Sequence, residues 1–389
     1  MKVVASAAHG TGKPAPSQFG LINLLKAGAA QLIVLHHLAF YGPMADHARA
    51  LLPSLIDWLS DSARIAVQVF LVIGGFLAAK SLAPSGHAGY ADPLRAIWRR
   101  YAKLAPAFLA ATLIAAVASV MAARWMMHDS ISPPATLAQL SAHALLLHGV
   151  LGYPSISAGA WYVAIDFQLY VLMVAALWVG GIVEGKRPLA WLMPLSAAFG
   201  ITLSLLYFNL DADWDNWAPY FFGSYGLGVM AWWASDPRRK PGIAVLLMMM
   251  ALLPAVVGLA LEFRSRIALA AGVACVLFLF GRIKTASEGR AWTTIHGLGK
   301  ISYSVFLIHF PVCLLVNAAF TRFVEPEPEL QAFGMLVAWG ASLAAGAVFH
   351  RWVEEPLGRL IHAITEQVVV RDVHIPRPLP ARSGGVSLR

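Results

Sequence analysis

Ten apolar stretches, each close to the length that crosses a bilayer, run along this chain at about 21–42, 62–82, 104–124, 160–183, 188–208, 217–235, 242–260, 266–282, 300–322 and 330–353. A helix rising 1.5 Å per residue needs about 20 apolar residues to traverse a hydrocarbon core of about 30 Å. No water reaches that core to satisfy a bare peptide group, so each stretch is confined to a helix. With 59% hydrophobic and 13% charged residues and a mean hydropathy of +0.66, a chain of 389 residues would not stay soluble as a water-facing domain. The expectation is an all-α, polytopic integral membrane protein of about ten transmembrane helices. One transmembrane domain (21–358) lies between a short N-terminal tail (1–20) and a largely disordered tail (359–389) containing Arg371, Pro376, Pro378, Pro380, Gly384 and Gly385. The first apolar run is full-length with no clear small-residue cleavage site after it, which reads as a retained helix.

Orientation follows from the basic residues, because cytoplasmic loops retain Lys and Arg. Placing both termini in the cytoplasm puts most of the 29 Lys and Arg on the inner side. Arg95, Arg99, Arg100 and Lys103 lie in one loop, Arg238, Arg239 and Lys240 in another, and Arg282, Lys284, Arg290 and Lys300 in a third. Asp211, Asp213, Asp215, Glu325, Glu327 and Glu329 then fall outside. This distribution accounts for the net charge of +9 without nucleic acid as a partner. The longest outer connection, 125–159, contains the amphipathic segment Leu137 to Val150, flanked by Pro133, Pro134 and Pro154. It reads as re-entrant or interfacial, since an eleventh span would invert every later loop.

Ionisable groups inside the apolar stretches are few, and such groups are expensive in hydrocarbon. Lys26 and His37 stand eleven residues apart, three helical turns, and so share one helix face at a separation of roughly 16 Å. Asp166 and His37 both fall roughly 8 to 9 Å below the outer boundary, counted at 1.5 Å per residue. An Asp accepting a hydrogen bond from one imidazole nitrogen would fix the tautomer and leave the other as a general base toward a hydroxyl. Tyr162, Asp166 and Tyr170 at i, i+4 and i+8 form a polar stripe beneath Trp161. His309 is a further buried candidate, and His36 lies about 100° round the helix from His37. The plainer alternative is a polar cluster that joins helices.

The run Arg95, Arg99, Arg100, Lys103, followed by Pro106, reads on spacing alone as a topology determinant or an anionic-lipid contact. Guanidinium forks could also clamp phosphates there. His128, His143 and His148 lack metal-ligand spacing, and no metal is expected. Cys275 and Cys313 lie inside spans with no disulfide or zinc spacing.

Several patches taken together resemble the membrane acyltransferase family 3, the O-acyltransferases of exported glycans. Lys26 with His37 fits that family's basic-x10-His signature. Val69-Phe70-Leu71-Val72-Ile73-Gly74-Gly75-Phe76-Leu77 resembles its "FFVLSGFL" segment, with Gly74 where Ser is usual. Arg99-Arg100-Tyr101-Ala102-Lys103-Leu104-Ala105-Pro106 resembles the stretch carrying Arg-x-x-Arg, here Arg100-x-x-Lys103. Trp161 to Tyr170 resembles "W-S-L-S-V-E-x-x-F-Y", with Asp166 at the Glu position. Ile301 to Pro311 resembles "ISYxxYLxHxP", and Val353-Glu354-Glu355-Pro356 resembles the closing "xExP".

The resemblance implies transfer of an acyl group, acetyl being the family's commonest, from cytoplasmic acetyl-CoA to a hydroxyl of an exported polysaccharide or lipid-linked oligosaccharide. It implies a multi-pass protein of the bacterial inner membrane, with acyl-CoA, a glycan acceptor, the lipid bilayer and polysaccharide assembly proteins as partners and no permanently bound cofactor. Lys26, Arg99, Arg100 and Lys103 would hold the donor phosphates, His37 and Asp166 would be catalytic, His37 as general base or alternatively as transient acyl carrier and Asp166 orienting it, and Trp161, Tyr162, Tyr170 and His309 would line the substrate cavity. A proton-coupled transporter or flippase is the rival class. It calls for internal repeats and helices broken in matching halves, and no repeat is visible. A non-catalytic assembly partner would tolerate loss of His37 and Asp166.

Overall fold

A computed structural model describes residues 20–88, 92–185, 189–283, 290–361 and 363 of the chain. Lys284 and most of both expected tails lie outside the described residues. Within them the chain is helical and without strands. The first six helices are α1 (Gly20–Phe40), α2 (Pro43–Ala48), α3 (Pro53–Asp61), α4 (Val67–Leu82), α5 (Pro93–Ala122) and α6 (Leu137–Ala144). They are followed by α7 (Ala160–Glu184), α8 (Leu192–Leu206), α9 (Ala218–Ala234), α10 (Pro241–Leu261), α11 (Ser265–Phe280), α12 (Arg290–Phe323) and α13 (Pro328–Phe349).

Among the described residues, eight helical segments are long and apolar enough to cross a membrane: α1, α4 with the turn before it, α5, α7, α8 with the turn after it, α10, α12 and α13 with its continuation. The other two expected spans exist as helices in the expected places but are shorter, α9 with 17 residues and α11 with 16. The segment Leu137–Ala144 forms a helix of eight residues, too short to span.

The largest departure from expectation concerns the arginine-rich run. It is not a loop. Helix α5 begins at Pro93, 30 residues long, with Asp92 as its N-cap accepting from the Arg95 backbone N–H at 3.0 Å. Pro at the first helical position and a side-chain cap define that start. Arg95, Arg99, Arg100 and Lys103 therefore occupy the first three turns, where a helix sorts them by face. Arg100 and Lys103, three apart, share a face, while Arg99 lies about 100° away and is exposed.

Two glycines let α4 and α9 meet backbone to backbone. A Cβ at Gly75 would run into the Tyr225 carbonyl, and one at Gly228 would run into that of Val72. Bare backbone at both positions is what this crossing requires. Around it α9 also packs on α7, α8, α10 and α11, while α1 packs on α12, and α12 on α13 and α5. The outward faces of α5 and α10 carry exposed Leu113, Val117, Met249, Leu253 and Val256, a lipid-facing composition rather than a defect of packing.

Candidate active site

Helix α1 brings His37 into the bundle against α12. The imidazole is 7% exposed, and its Nδ1 lies 2.6 Å from Nε2 of His309, which is fully buried. The two rings are nearly parallel, 4.8 Å between centroids. On its other side His309 Nδ1 meets the Val305 carbonyl at 3.2 Å. A carbonyl can only accept, so His309 carries its proton on Nδ1 and accepts on Nε2. His37 consequently donates from Nδ1, and its Nε2 is left without a proton. A chain of two bonds thus sets the tautomer of His37, a task that commonly falls to a carboxylate or a carbonyl.

Asp166 does not perform that task. The expected pairing of Asp166 with His37 is absent, because Asp166 instead makes a short ion pair with Arg100. Once α5 begins at Pro93, its third turn brings a guanidinium to the carboxylate, and a permanent cation takes a carboxylate in preference to a neutral ring. Arg100 also lies over the Tyr170 ring at 5.2 Å. Its Nε is buried with no partner, one donor left over. Gly74 makes room for the pair: a Cβ there would stand 3.2 Å from Asp166 Oδ1 and 3.5 Å from the Tyr225 ring.

Lys26 lies within electrostatic reach of Lys103, Arg100, Asp166 and Glu354. Of the four basic residues expected to act together, the structure gathers Lys26, Arg100 and Lys103 and leaves Arg99 on the outside. Tyr303 reaches the Leu104 carbonyl with its hydroxyl at 3.1 Å, tying α12 to α5 at this level. Glu354 completes the cluster. It accepts from Ser304 Oγ at 2.5 Å and pairs with His350 Nδ1 at 2.8 Å, in a π-helical turn, His350–Glu354, that follows α13. Such turns widen the spacing of side chains and recur at functional sites.

Among the other expected residues, Tyr162 points into an aromatic group with Phe306 at 5.3 Å and Phe70 at 6.0 Å. Trp161, one residue away, packs on Phe221 at 5.6 Å. His36 turns from the site and meets the Leu59 carbonyl at 2.9 Å. His143, in the last turn of α6, ties the helix to the segment after it: Nδ1 donates to the Gln139 carbonyl at 2.8 Å and Nε2 accepts from the Ile156 N–H at 3.2 Å. His148 stacks on it at 4.0 Å and faces Ser155 Oγ at 3.2 Å. Burial, with the neighbouring His143 as a lesser cause, pushes the His148 pKa down to about 3. Among the described residues no group of three His, Cys, Asp or Glu could hold a metal ion.

Sequence reasoning missed Glu354 and Tyr225 as members of the cluster. The first was visible in the closing motif; the second had no signal beyond an aromatic in an apolar run.

Comparison with known proteins adds one finding. A family model described as an acyltransferase domain matches residues 20–349. No curated protein and no solved structure matches the chain.

Proposed function

This chain belongs to acyltransferase family 3, and we propose that it moves an acetyl group from acetyl-CoA to a hydroxyl of an exported polysaccharide or lipid-linked oligosaccharide. The observation that carries this reading is the buried His37–His309 pair at 2.6 Å, which leaves His37 Nε2 as an acceptor. An imidazole nitrogen in that state can take the proton of a hydroxyl as its oxygen attacks a thioester carbonyl. The C–O bond forms, the C–S bond breaks, and the proton passes to the departing thiolate of coenzyme A.

The basic group Lys26, Arg100 and Lys103 supplies charge for the donor phosphates, and the unpartnered Arg100 Nε supports that role. Lys26 and His37 lie on one face of α1, about three turns apart. A pantetheine arm would follow that face and bring the thioester to His37. In this proposal the basic ends of the helices face the cytoplasm of a bacterial cell, the inner membrane holds the bundle, and acetyl esters appear on glycan leaving the cell.

Purified protein in vesicles, given radiolabelled acetyl-CoA and glycan from a strain lacking the gene, tests the reading. Base-labile label on the glycan is expected. Label that remains entirely in acetyl-CoA and free acetate would refute the acceptor class.

A further inference from the structure

Phe306 sits one turn before His309 on α12, is 4% exposed, and has its ring 6.0 Å from that of His309. Its neighbours on the same side are Tyr162 at 5.3 Å and Phe70 at 6.1 Å. Behind the ring is a small cavity bounded by Phe108, Ala111, Thr112, Ser157, Gly159 and Phe306 itself. It has room for about one water. Ala111, Ser157 and Gly159 share its wall with Leu307 and the Phe108 ring. At Gly159 even a Cβ would press to 2.8 Å from Phe306 Cε1. The Thr112 hydroxyl is occupied by the Phe108 carbonyl at 2.9 Å, so that wall presents mainly carbon. Two aromatic rings bound this space, and Phe306 is the one that also stands 6.0 Å from His309, the place where a chain-length stop would act.

We propose that Phe306 caps an acyl pocket and restricts the donor to a short acyl group, a specificity that rests on the acyl-transfer reading above. The acyl carbon attacked at His37 carries its tail into the space around the two stacked imidazoles. On the α12 side that space ends at the Phe306 ring. In this reading a two-carbon group stops short of the ring, and each further methylene must displace it or find another route. Discrimination by one methylene in an apolar pocket is worth about 10- to 200-fold in kcat/KM. Removing the ring joins the cavity to the site and gives a longer chain somewhere to go.

The test presents acetyl-, butyryl- and octanoyl-coenzyme A in competition to membranes containing the protein and its acceptor, and quantifies base-released acids by mass spectrometry. The native protein is expected to favour acetyl over butyryl by about 10²-fold or more. In Phe306→Ala the ratio falls at least about tenfold, through a gain on butyryl rather than only a loss on acetyl. Ala111→Leu in that background refills the space and restores the preference, which a merely structural role for Phe306 would not produce. If Phe306→Ala does not accumulate, Phe306→Leu gives a smaller shift of the same sign. Acetyl transfer with an unchanged ratio in both variants, or native protein using butyryl as readily as acetyl, overturns this inference alone. Native protein that transfers no acyl group from any of the three donors overturns the acyl-transfer reading and the inference with it.

Discussion

His309 accepts a hydrogen bond from His37 across 2.6 Å, and the Val305 carbonyl behind it fixes which nitrogen of each ring carries the proton. An incorrectly set tautomer leaves a general base present but unable to accept, so under the proposed chemistry His309 would act as a positioning residue for His37. His309→Ala should lower kcat by about 10²-fold or more while the KM for the acyl donor changes little. His309→Gln, whose side-chain carbonyl can accept from His37 Nδ1, should recover part of that loss. Equal kcat in His309→Ala and native protein would show that the pair has no part in the chemistry.

The Arg100–Asp166 pair calls for a different result at Asp166. The Asp166 side chain is 9% exposed, and removing it strands a largely buried guanidinium. Breaking such a pair costs about 3–5 kcal/mol. Asp166→Ala should therefore lower the thermal unfolding temperature in detergent, and replacing both partners with apolar residues should restore much of it. Had Asp166 oriented His37 directly, the substitution would remove activity and leave stability almost intact.

Where α5 turns Arg99 outward, a functional contrast with its neighbours follows. Lys26→Ala and Lys103→Ala should each raise the KM for acetyl-CoA by about tenfold, the equivalent of about 1.4 kcal/mol, with kcat nearly unchanged. Arg99→Ala should leave both constants close to native. An Arg99→Ala effect as large as that of Lys103→Ala would mean that the donor contacts a different face of α5.

The helical bundle was legible because apolar length is a strong signal: a helix stands at each of the ten places where a long apolar run occurs, though α9 and α11 are shorter than a full span. The site was legible as a list and misread as a set of pairs. Asp166 and His37 have similar computed depths along their helices, but depth says nothing about azimuth or about a third residue closer at hand. The competing partner, Arg100, was hidden by reading residues 95–103 as a loop. Asp92 followed by Pro93 was an available helix-start signal, and Leu, Arg, Ala and Lys in the stretch after it favour continuation. Gly74, where a family member usually has Ser, acquires a reason only in three dimensions, since Asp166 Oδ1 and the Tyr225 ring crowd the place of its missing Cβ.

Acid should loosen the segment after α6. His148 is buried and unprotonated down to about pH 3, against an ordinary value of 6.5. Between those values an unfolded chain binds a proton that the folded one does not, so the contribution to stability is complete above about pH 6.5 and is lost as pH falls toward 3. Protection of residues 137–157 from proteolysis should decline over that window in native protein and decline less in His148→Gln. Matching pH profiles for the two proteins would remove His148 from the account.

The most direct test of the central claim, that His37 carries acyl transfer, is the ester-linked acyl content of exported and envelope glycans in three matched strains: native gene, deletion, and His37→Ala at equal membrane abundance. The account expects the same acetyl ester to disappear in the deletion and in the point variant while glycan export continues. Esters that persist in all three strains, with export altered in the deletion, would contradict it and favour a transporter.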